Sequence, residues 1–74
     1  MDEFKKMMVL VWEYGKYYFN NPPQTPDQFG ELTEMANGIL KLQKPNTKEY
    51  TFVKNMLIAT NDYIDSDWRE KNLK

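Results

Sequence analysis

Asp62, Asp65 and Asp67 bring three carboxylates into one short stretch, and Glu31 with Glu34 places two more about one helical turn apart. Oxygen ligands of this kind can hold a hard cation. A calcium loop needs a glycine at its sharp bend, and the aspartate cluster contains none. The chain also has no His and no Cys, which removes the commonest general base, the thiolate nucleophile and the usual nitrogen and sulfur metal ligands. The carboxylates therefore read as solvated helix faces. The expectation is a protein that is not an enzyme and that carries no catalytic residue, cofactor or metal.

Aromatic side chains are the other residues that stand out: Trp12, Tyr14, Tyr17, Tyr18 and Phe19 follow one another closely. Rings in such number can stack nucleic-acid bases or form the core of a protein interface, where Tyr, Trp, Phe and Met are enriched. Ten basic residues against eleven acidic ones give a net charge of −1, and Arg69 is the only arginine. General attraction to a phosphate backbone is not expected from that balance. Three short helices can still form a helix-turn-helix. The last helix would then present Lys48, Lys54 and Asn55, with Glu49, Asp62 and Asp65 working against them. A small DNA-binding regulator of helix-turn-helix type is thus the alternative to an interaction protein. The segment Pro23-Gln24-Thr25-Pro26 matches the P-x-x-P form read by aromatic grooves, but turn chemistry accounts for each of its residues.

The elements that must position these side chains are helices. From residue 3 to 19 the apolar positions Phe4, Met7, Met8, Leu10, Val11, Trp12, Tyr14, Tyr17, Tyr18 and Phe19 spread over roughly 220° at about 100° per residue. A surface helix usually carries one stripe only a little over about 100° wide, so helix 1 is expected to be the central helix, to form an interface, or both. Gly15 lies on its apolar side, where it costs up to about 1 kcal/mol relative to Ala. Two readings stay open for it, a tolerated loss or the close approach of a second backbone.

Asn20, Asn21 and three prolines end helix 1, and Thr25-Pro26-Asp27-Gln28 reads as a capped start with Pro at the first helical position. Helix 2 is expected over 26–43, with Phe29, Leu32, Ala36, Ile39, Leu40 and Gln43 on one face; a break at Asn37-Gly38 is the alternative. Pro45 stops it, and Asn46 or Thr47 caps helix 3 over 47–67. There Val53, Met56, Leu57, Thr60, Tyr63 and Ile64 form the buried stripe, Ile58 points away, and residues 69–74 form a frayed tail. The fold class is all-α, a single domain over 1–74 built as an up-down-up three-helix bundle. Leu32, Ile39, Leu57 and Ile64 are its predicted core.

Trp12 lies at one edge of the broad arc of helix 1 and Leu10 with Tyr17 at the other. The candidate interface is the edge formed by Leu10, Tyr14 and Tyr17, since tyrosine offers apolar area together with a hydroxyl that tolerates water. Trp12 and Phe19 are then expected to turn toward the core.

Trp12-Glu13-Tyr14 in the first helix and Phe52-Val53-Lys54-Asn55-Met56-Leu57-Ile58-Ala59 in the last resemble small uncharacterised helical proteins encoded by phages and mobile elements of Gram-positive bacteria. The resemblance implies an accessory role, such as binding a host or phage protein, and supplies no activity or functional residue. The start Met-Asp-Glu lacks the basic region of a secretory signal. The longest uncharged apolar run, Met7 to Trp12, falls far short of the ~20 residues needed to cross a bilayer. A cytoplasmic, non-catalytic protein–protein interaction module is expected. Its partner would be a second copy or an unidentified protein, with no membrane, nucleic acid or small-molecule substrate indicated.

Overall fold

Acidic residues at the first turn and a proline pair after the last one delimit α1 (Asp2–Asn20), the first of three helices in the computed structural model, which describes residues 2–72. α2 (Pro26–Leu40) and α3 (Lys48–Asn72) follow, and the described residues contain no strand. Asp2 and Glu3 sit where the helix dipole favours negative charge. At the other end the Asn21 amide donates to the Tyr17 carbonyl at 2.9 Å before Pro22 and Pro23 stop the pattern.

Thr25 caps α2 in extended conformation, its Oγ1 accepting from the Gln28 amide at 3.2 Å with Pro26 directly after it. Gln28 Oε1 reaches back to accept from the Gln24 amide at 2.7 Å, so the reciprocal half of the capping box closes one residue earlier than in the usual motif. α2 runs without a break through Asn37-Gly38. It ends at Leu40 rather than near Gln43, because the Leu42 and Gln43 amides donate to the Ile39 and Leu40 carbonyls, three residues back. That spacing is a tightened turn and not a further α-turn. Asn46 takes φ 66°, a left-handed conformation that asparagine tolerates, and Thr47 caps α3 by accepting from the Tyr50 amide at 3.1 Å.

α3 is longer than expected. In place of a frayed tail, residues 69–72 continue the helix; Leu73 and Lys74 lie outside the described residues. Arg69 pairs with Asp65 at 3.1 Å and Lys71 with Asp67 at 3.0 Å, each one turn apart. Both cations stand near the negative end of the dipole, which favours them there.

Met7, Val11, Tyr14 and Tyr18 of α1, Leu32 and Ala36 of α2, and Val53, Leu57 and Ile64 of α3 form the core. Phe29, Ile39, Leu40, Phe52, Met56 and Trp68 pack against it partly buried, so Ile39 lies at the margin of the core and not within it. Phe4 meets Phe52, Tyr14 meets Asn61, and Phe19 meets Tyr63. Residue numbers thus rise together along α1 and α3. Phe29, in the first turn of α2, meets Trp68 near the end of α3 at 5.4 Å between ring centroids.

Candidate interaction surface

The interior is not wholly apolar, because two tyrosine hydroxyls of α1 are bonded to polar groups of α3. Tyr14 is 2% exposed and its hydroxyl donates to Asn61 Oδ1. Tyr18 is 1% exposed and donates to Asp67 Oδ2 at 2.8 Å. The same carboxylate oxygen takes the Lys71 ammonium. Burial raises both tyrosine hydroxyls above their ordinary titration range, and for Tyr18 the hydrogen bond and charge of Asp67 add to it. Asp67 is held below the ordinary carboxylate value, first by the hydrogen bond from Tyr18 and then by the hydrogen bond and charge of Lys71, against an opposing effect of desolvation.

This interior corrects the candidate trio. Tyr14 belongs to the core of the bundle itself, because α3 supplies an amide oxygen that its hydroxyl can reach. Leu10 is half-buried and Tyr17 exposed. Together with Glu13, Met35 and Ile39 they line an open groove of about 420 Å³ between α1 and α2.

The opposite edge is the more exposed of the two. Trp12 is 67% and Phe19 51% exposed, so neither turns into the core as expected. At about 100° per residue, Phe4, Met8, Trp12 and Phe19 form a row displaced from the core residues toward one flank of α1. That flank is the α3 side: Phe4 lies 5.5 Å from the Phe52 ring, and Phe19 lies 6.3 Å from that of Tyr63. Tyr63, expected on the buried stripe, is 66% exposed. The Lys71 ammonium stands 5.8 Å from the Phe19 ring centre, within cation–π range. Phe4, Met8, Trp12 and Phe19 of α1 thus lie on the flank where Phe4 meets Phe52 and Phe19 meets Tyr63 of α3.

Other features have local partners. Asp65 and Asp67 are each engaged by a cation of α3. Among the described residues no group of three or more His, Cys, Asp or Glu is placed to hold a metal ion. Pro23 is buried, and its carbonyl accepts from the Trp68 indole at 2.9 Å, so the P-x-x-P segment is folded into the domain. Among the described residues no helix is long and apolar enough to cross a membrane.

Fold and surface together define a small three-helix domain with an uncovered aromatic face. Comparison with known protein families, with curated proteins and with solved structures found no match.

Proposed function

We propose that this chain is a non-catalytic protein–protein interaction module of the cytoplasm, an up-down-up bundle arranged around the aromatic α1, which docks through the strip centred on Trp12. The observation that carries this is the strip itself. Five large apolar side chains, Phe4, Met8, Trp12, Phe19 and Tyr63, are all more than a third exposed on one side of the molecule. Single exposed apolar residues are ordinary, whereas a contiguous patch marks an interaction site. The residue types also favour docking, since Trp and Tyr are enriched among the residues that dominate binding energy. For the up-down-up order, the support is the rising pairing of α1 with α3 and the contact of Phe29 with Trp68. The absence of Cys suits the reducing cytoplasm. An accessory role, which the resemblance to phage and mobile-element proteins implies, fits a docking strip of this kind.

Capture from the source cell with tagged wild type, Trp12→Lys and Ile58→Lys tests the function. Ile58 is exposed on α3 away from the strip, so its variant should retain the same partner, a second copy included, while Trp12→Lys loses it with helical circular dichroism unchanged. Equal capture by wild type and Trp12→Lys would overturn the proposal. Duplex-DNA binding that weakens steeply with salt would instead favour the helix-turn-helix regulator.

A further inference from the structure

We infer that the strip is covered by a second copy of this chain, related by a twofold axis parallel to the helices, so that α1 of each protomer lies over α3 of the other. This rests on the interaction function proposed above and specifies its partner. The exposed fractions of Phe4, Met8, Trp12, Phe19 and Tyr63 amount to roughly 600 Å² per protomer, taking about 150–250 Å² for each large side chain. Two copies then bury at most about 1,200 Å² from the strip alone, which reaches the lower bound for a specific stable interface. Rim residues and the exposed Ala59 add to that.

Charge on the two rims selects the arrangement. Continuing around α1 past Trp12, the next exposed positions are Lys5 and Lys16, and the corresponding rim of α3 beyond Tyr63 carries Asp62, Ser66 and Glu70. One rim is basic and the other acidic over its C-terminal half, so the face is complementary to itself when α1 is laid over α3. Because residue 4 stands level with residue 52 and residue 19 near residue 63, Lys16 falls close to the height of the partner's Asp62. An axis across the helices would lay α1 on α1 and bring Lys5 toward the partner's Lys16 beside the desolvated tryptophans. Glu70 and the partner's Lys48 would then meet only at the solvated ends of the face. Like charges near the centre of an interface cost more than solvated pairs at its margin return.

Sedimentation equilibrium from micromolar to near-millimolar protein tests this on wild type, Trp12→Lys, Lys16→Glu, Asp62→Lys and the double charge swap. Wild type should show a concentration-dependent dimer and Trp12→Lys a monomer, both with the same helical circular dichroism. Each single charge reversal should weaken the dimer by about tenfold in Kd, and the double swap should restore it to within a few-fold, since only directly facing charges couple in this way. A wild type that stays monomeric over the whole range overturns the inference, and so does a dimer that the double swap fails to rescue. If wild type is monomeric yet still captures a different protein in a Trp12-dependent manner, only the second-copy inference falls and the interaction function stands.

Discussion

Asp67 occupies a position on the side of α3 facing α1 where an apolar residue would ordinarily pack. It is accommodated because the Tyr18 hydroxyl and the Lys71 ammonium converge on one of its oxygens. The pH dependence of stability follows from the signs of the shifts. A carboxyl held below its ordinary value contributes stability that is present at neutral pH and is lost as pH falls through the carboxylate range. Tyr14 and Tyr18, both raised, contribute stability that is complete below about pH 10, the ordinary tyrosine value, and is lost as pH rises beyond it. Thermal melts from pH 7 down to 3 should therefore show an acid decline in wild type that is flatter in Asp67→Asn. A wild-type decline no steeper than that of the variant would contradict this account. In the sequence Asp67 reads with Asp62 and Asp65 as a solvated carboxylate, because periodicity can mark a charge on a buried face only as a misfit. The Tyr18 hydroxyl that resolves the misfit lies forty-nine residues away in the chain.

Helices were legible to the extent that their determinants are local. Thr25, Pro26 and Gln28 announce the start of α2 because capping involves residues within one turn of each other. The ends of α2 and α3 were less legible, since one depends on a tightened turn and the other on two ion pairs that offset a charged composition. Gly15 is ambiguous in the sequence, because the distance to the opposing helix is not a local property. A Cβ built there would meet only Thr60 Cγ2 at 4.0 Å, and one built at Gly38 meets nothing within 4 Å. Neither glycine is required by a close approach. Gly15→Ala and Gly38→Ala should each stabilise the protein by about 0.4–1 kcal/mol by reducing unfolded-state entropy, measurable by urea denaturation; a loss of stability at Gly15 would reveal a contact tighter than the geometry indicates. The phase of α3 can be checked at two adjacent residues. Leu57→Ala should cost about 2–5 kcal/mol, while the exposed Ile58→Ala should change stability by less than about 0.5 kcal/mol.

At the scale of the molecule, the principal extents are 41 × 20 × 16 Å, and the long dimension is essentially that of α3, whose 25 residues span about 37 Å at about 1.5 Å each. α1 has 19 residues, so α3 reaches beyond its end. There Trp68 donates to the Pro23 carbonyl and packs on Phe29, holding the α1–α2 connection and the start of α2 together. A domain of this size has a total stability of about 4–11 kcal/mol. Trp68→Ala should remove about 2–3 kcal/mol of that, less than the about 3–5 typical of a fully buried tryptophan, and should make segment 21–25 sensitive to limited proteolysis. Trp68→Phe, which keeps an aromatic ring but loses the N–H and part of the indole's packing area, should cost about 1–2 kcal/mol. Proteolysis at 21–25 as slow in Trp68→Ala as in wild type would mean that the connection is held by other contacts. The same clasp orders events during synthesis. A nascent chain can pair α1 with α2 as soon as both have left the ribosome, but Phe29 then lies bare, the Tyr18 hydroxyl lacks its acceptor and the connection stays loose until Trp68 emerges. Chains released before that residue are therefore the ones a quality-control protease would recognise first, and a stop codon in the last turns of α3 would reduce the amount of protein in the cell more than its small loss of mass suggests.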